Sequence, residues 1–118
     1  MGMDRYAVLC RPDDPDRVVA ELEAQDETYQ RLVYDWMYLT NRNGWNEREA
    51  METLDGRFQT YAFMLGGDAS RRLLFTREVG TSTYYLLGIV TAAPEPQLRQ
   101  KAYDETCRAH GLVNPARV

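Results

Sequence analysis

The sequence predicts an α+β fold in which N-terminal helices and a C-terminal helix pack on a twisted antiparallel sheet. Residues 57–91 alternate in hydropathy with period two and are cut by glycine-containing turns into three runs, the signature of a strand meander. Residues 26–42 and 97–110 place their apolar side chains at helical spacing instead. A length of 118 residues suits one compact domain, 1–118, and is short for two. The 44% hydrophobic and 27% charged fractions are those of a globular chain and exclude collagen-like, coiled-coil and wholly disordered classes.

Each element follows from local chemistry. Arg5–Cys10 (RYAVLC) is a short apolar strand, stopped by the two prolines of Arg11-Pro12-Asp13-Asp14-Pro15. Asp14 before Pro15 is a helix start, with proline in the first turn where its missing N–H costs nothing. Val18, Val19 and Leu22 follow at helical spacing. From Asp26 to Arg42, Tyr29, Leu32, Val33, Trp36 and Leu39 share one face, and Asn43-Gly44 ends the run. A helical hairpin and one bent helix fit this segment equally well.

Asn46 and Glu49 have capping-box spacing and predict a short helix carrying Ala50, Met51 and Leu54. Residues 57–65, 71–78 and 82–91 are the three meander strands, joined at Gly66-Gly67-Asp68 and Val79-Gly80-Thr81. The last strand is almost wholly apolar or β-branched, which places it inside the sheet with both faces covered. The first strand is expected at an edge of the meander. Pro94 and Pro96 close the sheet, and a final helix runs from about Gln97 to His110 before Gly111. Leu98, Ala102, Glu105 and Ala109 lie along one line of that helix.

The net charge of −4 argues against a polyanionic partner, but it is unevenly spread. Residues 1–59 hold 13 acidic and 7 basic side chains, whereas residues 60–118 hold 5 and 7, so only the helical half is acidic. Cys10 and Cys107 have no CxxC spacing and read as small apolar side chains. The opening MGMDRYAVLC lacks a signal-peptide core, and no apolar run is long enough for a membrane span. A soluble, reduced, cytoplasmic protein is expected.

No GxSxG, P-loop, GxGxxG or HExxH motif is present, and a single histidine excludes multi-histidine metal sites. Asp13, Asp14 and Asp16 read as a loop and helix start, where the dipole favours negative charge, in preference to a metal site. No metal or cofactor is expected. The candidate chemistry lies in Arg71, Arg72, Arg77, Arg99, Tyr103 and His110, with Tyr84 and Tyr85 near them. Guanidinium groups clamp phosphate and stabilise developing negative charge. Tyrosine or histidine transfers a proton or stacks on an unpaired base. Together they suit metal-free RNA cleavage, with the 2′-hydroxyl as internal nucleophile. In that reading Arg99, the sole lysine Lys101, and Tyr84 contact the RNA. The alternative reading makes the same arginines solubilising strand flanks and Tyr103 a core residue.

The order of elements, with LDGRFQTYAF, RRLLFTRE, TYYLLGIVT and PEPQLRQKAYDETCRAHGL, resembles the RelE/HigB-like toxins of bacterial type II toxin–antitoxin systems and their phage-derived relatives. The segment DDPDRVVAELEAQDETYQRLVYDWMYL resembles that family's α-hairpin. The resemblance implies a metal-free endoribonuclease, an mRNA interferase acting with or without the ribosome, neutralised by an antitoxin protein. It implies Arg71 or Arg72 as the arginine opening the second meander strand, Arg77 at that strand's end, and Tyr103 or His110 as the proton-transfer group. Family members are usually basic, whereas this chain is acidic and has only Thr91-Ala92-Ala93-Pro94-Glu95 where they carry a lysine-rich turn. Those departures, with eight tyrosines and two tryptophans, support a second expectation. It is a non-catalytic interaction protein, bacterial or phage, that binds and blocks a protein target, with Trp45 as an exposed anchor. A gyrase-poisoning relative is a third.

Overall fold

The computed structural model describes residues 5–44, 52–54 and 57–112. Strand β1 (Ala7–Cys10) runs into the proline-containing break. Helix α1 (Pro15–Glu23) starts where Asp14 accepts a hydrogen bond from the Arg17 N–H at 3.2 Å, with proline in its first turn. Residues 15–43 hold two helices and not one bent helix. After α1 ends, Asp26 takes an extended conformation and accepts from the Tyr29 N–H at 2.8 Å, which opens α2 (Glu27–Asn43). Each helix thus has its own carboxylate cap for the amides that a first turn leaves unpaired.

The short helix expected around residues 46–54 is corrected at its end: Glu52–Leu54 form strand β2, paired antiparallel with the next strand, while Asn46, Glu49, Ala50 and Met51 lie outside the described residues. Strands β3 (Phe58–Phe63), β4 (Arg71–Glu78) and β5 (Thr83–Thr91) form the meander, and α3 (Glu95–His110) follows. Helix α3 ends on Gly111, whose φ of +66° is the left-handed conformation glycine adopts without a Cβ penalty.

The fold is α+β, with three helices and a sheet of strand order β1-β5-β4-β3-β2 among the described residues. The sheet is mixed, not wholly antiparallel. The first strand does join the meander edge, but it lies parallel to β5, with Ala7 opposite Thr83 and Cys10 opposite Leu86. Its outer edge is blunted: the Val8 N–H donates to the Asn41 Oδ1 at 3.0 Å, so α2 caps a group an added strand would need.

The sheet is covered on both faces. On one, Val18 and Leu22 of α1 and Tyr29, Val33 and Trp36 of α2 pack against Tyr61, Leu73, Phe75, Tyr84 and Leu86. On the other, Ala102 and Ala109 of α3 pack against Leu74 and Leu87. Strand β5 serves both faces, as its composition predicts. Alternation sends Leu86 and Leu87 to opposite clusters, and an irregularity opposite Leu74 and Phe75 shifts the phase so that Ile89 packs on the same side as Leu86 and Val90 on the same side as Leu87. Glu21 of α1 reaches into this bulge and accepts from the Ile89 N–H at 3.1 Å. Gly88 there has a φ of +152°, and a Cβ at that position would run into the Glu21 carboxylate.

Candidate functional site

Alternation along β4 assigns its arginines to faces before any long-range contact is considered. Leu73 and Phe75 face α1 and α2, so Arg71 and Arg77 share that face, while Arg72 shares the α3 face with Leu74. Arg71 and Arg77 stand at opposite ends of the strand, six residues and about 20 Å apart. The sheet therefore separates Arg71, Arg77 and Tyr84 from Arg72, Arg99, Lys101, Tyr103 and His110. The two groups do not converge on one substrate atom.

Arg71 is held from four directions. Its Nε donates to Asp68 Oδ2 at 2.8 Å, Nη1 to Gln25 Oε1 at 2.6 Å and Nη2 to Asp26 Oδ2 at 2.8 Å. Its guanidinium lies 3.9 Å from the centre of the Tyr29 ring. Hydrogen bonds from Ser70 and then Arg71 pull the Asp68 carboxyl down to about 2. The Tyr29 amide and Arg71 likewise hold Asp26 below the usual carboxylate range. An open cavity of about 270 Å³ lies beside Arg71, lined also by Gln25, Ser70, Ile89, Val90 and Thr91. The donors that would greet an anion there are already committed to two carboxylates and an amide.

The remaining cations are also engaged. Arg72 Nη1 donates to the carbonyls of Ala69 and Arg71 at 3.1 and 3.0 Å. Arg77 Nε donates to the Thr81 carbonyl at 3.2 Å and sits 6.0 Å over the Tyr84 ring. Tyr84 is 1% exposed and packs between Tyr6 and Phe75, so its ring has no open face for a base. On α3, Arg99 pairs with Glu95 at 3.0 Å and Lys101 with Glu105 at 3.2 Å, both four residues apart. The Arg99–Glu95 pair is exposed and such surface pairs bind weakly, whereas Lys101 reaches a buried carboxylate.

Near the end of α3 the sequence-predicted residues come closest to a site. The His110 ring stacks on Phe58 at 4.3 Å between centres and meets the edge of Tyr85 at 4.6 Å. Tyr85, not Tyr84, is the neighbouring phenol. Burial lowers the His110 pKa from its ordinary 6.5, against the opposing pull of Glu78 and Asp13. Burial and then Glu78 raise that of Tyr85. Both groups are therefore neutral at pH 7. The His110 Nε2 is buried with no hydrogen-bond partner among the described residues. Tyr103, about two helical turns earlier, is half-buried on the same helix.

The most densely charged cluster is one the site assignment from sequence omits. Arg11, fully buried, donates from Nη1 to Glu105 Oε2 at 2.5 Å and to the Leu87 carbonyl at 3.3 Å, and from Nε and Nη2 to Asp13 at 2.7 and 2.9 Å. Arg17, Lys101 and Arg108 approach the same Glu105 at 3.6, 3.2 and 3.6 Å. Burial opposes ionisation of Glu105, but the hydrogen bonds from Arg11 and Lys101 outweigh it and hold the carboxyl below its usual range. A signal for this cluster is present in the sequence: Glu105 is a carboxylate on the otherwise apolar line of Leu98, Ala102 and Ala109, and a buried carboxylate demands a cation. Asp13 and Asp14, weighed as metal ligands, are used by Arg11 and by the start of α1.

The opposite surface of α2 is differently furnished. Tyr34, Tyr38 and Leu39 are 55, 60 and 52% exposed, and Arg42 lies over the Tyr38 ring at 5.6 Å. Trp45, the anchor expected from sequence, lies outside the described residues. No helix among the described residues is long and apolar enough to cross a membrane. Comparison with protein-family models, curated proteins and solved structures returns no match.

Proposed function

We propose that this chain acts by binding a protein and not by cutting RNA. One observation carries the reading: the cations nominated for phosphate are committed to acceptors of the chain itself and are divided between two faces by the sheet. RNA affinity depends on cations that release counterions from phosphate, and each one withheld lowers it steeply. Freeing Arg71 would uncover Asp26 and Asp68 beside the incoming phosphate. Cleaving RNA would also require Arg71 and His110 to act across an intervening sheet.

The outward face of α2 supports the positive half of the proposal. Tyrosine anchors with an apolar body and a polar tip are enriched where proteins dock. The element order, an α-hairpin followed by the meander and a terminal helix, supports kinship with the RelE/HigB-like toxins as an inherited scaffold. Scaffold does not fix activity. In that setting the partner is an antitoxin-like protein or the target of an inhibitor, and the compartment is the cytoplasm.

A second reading has one observation in its favour. The pairing of His110 with Tyr85 on the α3 face offers a neutral imidazole and a phenol, groups suited to proton transfer from a 2′-hydroxyl. Induced expression with primer-extension mapping of mRNA separates the two readings. The protein-binding reading expects no cleavage; cleavage that His110→Ala abolishes favours the second reading and sinks the first.

A further inference from the structure

The exposed stripe of α2 is nearly self-complementary about its own midpoint. Along the helix run Glu27, Arg31, Tyr34, Tyr38 and Arg42, spaced three or four residues apart and therefore aligned on the solvent side, opposite buried Tyr29, Val33, Trp36 and Thr40. A two-fold axis between Tyr34 and Asp35 would set Glu27 of one copy opposite Arg42 of the other, and Arg31 opposite Tyr38. A shallow depression of about 260 Å³ is lined by Glu27, Gln30, Arg31 and Tyr34. It lies as far before that axis as Tyr38 lies beyond it. Tyr38 is the most exposed large apolar side chain among the described residues, at 60%.

We infer that α2 packs antiparallel on α2 of a second copy of this chain, with Tyr38 of each seated in the depression of the other. The inference rests on the protein-binding reading and names the partner. Antiparallel packing opposes the helix dipoles favourably and forms two Glu27–Arg42 pairs. It also places a guanidinium from the second copy against Tyr38, whose ring already carries its own Arg42. A 17-residue helix is about 25 Å long, so the contact is smaller than the ~800 Å² per partner of a standard stable interface. The dimer is accordingly concentration-dependent.

Sedimentation velocity on the full chain over a concentration series tests this. A monomer–dimer equilibrium is expected, shifted to monomer by Tyr38→Ala. Arg42→Glu opposes two carboxylates at each end and should raise the dissociation constant by about tenfold or more. Adding Glu27→Arg to it restores opposite charges at both ends and should recover the dimer, with circular dichroism confirming folded helix in each variant. A monomer at every concentration, a dimer indifferent to Tyr38→Ala, or no recovery in the folded double variant overturns the inference. If the chain is monomeric yet forms a stoichiometric complex with a different protein that Tyr38→Ala disrupts, self-pairing fails and the protein-binding reading stands. A monomer that cleaves mRNA contradicts both.

Discussion

At Arg11 the chain buries a full positive charge at the junction of β1, β5 and α3, and Glu105 and Asp13 hold it there. Removing one partner leaves the other charged and dry, so Glu105→Gln should cost about 3–5 kcal/mol in urea unfolding. Replacing both, as Arg11→Met with Glu105→Leu, should recover most of that loss, because an apolar pair needs no compensation. Glu105→Gln with unchanged stability would refute this role. His110 gives a prediction in pH. Its folded pKa is depressed by burial, so the unfolded chain takes up the proton first as pH falls below 6.5. Stability contributed by the neutral ring is complete above that pH and declines beneath it. His110→Phe, which keeps a ring against Phe58, should flatten the decline between pH 7.5 and about 5.5. A decline as steep in the variant as in the parent would place the titrating group elsewhere.

The elements differ in how much of each was legible in sequence. Helix starts at Asp14 and Asp26 and the stop at Gly111 are written in local chemistry, and the structure uses all three. So is the face assignment in β3, where Tyr61 and Phe63 oppose Ala62. The parallel course of β1 is not legible, because it is fixed by pairing with residues about 76 positions away and no local pattern encodes direction. Glu52–Leu54 pairs as a strand despite a capping-box spacing before it, since ladder bonds to β3 outweigh a weak local preference. Asp26 carries two tasks, capping α2 and holding Arg71. Asp26→Ala should therefore cost more than the ~1 kcal/mol of a lost cap, whereas Asp26→Ser keeps the cap and should cost less than the alanine variant. In thermal melts, equal losses would mean that the cap contributes nothing, and no loss in Asp26→Ser would mean that the Arg71 contact contributes nothing.

For the whole molecule, the net charge of −4 has a structural counterpart. The basic surplus of residues 60–118 is real in sequence, but folding sets Asp26 of the acidic half against Arg71. It likewise brings Glu105 to Arg11 across the chain. Residue types identified the candidate set, and period two could have shown that Arg71 and Arg72 lie on opposite faces. What could not be read was the partner of each cation, which depends on tertiary contacts. The sheet, covered on both sides, then keeps the proton-transfer candidates on α3 away from Arg71 and Arg77. Fluorescence anisotropy of the purified chain with a single-stranded RNA oligonucleotide at low ionic strength, where phosphate contacts are strongest, tests this most directly. No saturable binding is expected, and Arg71→Ala should change nothing. Saturable binding that weakens with salt and is lost in Arg71→Ala would contradict the claim that these cations are held by the fold itself.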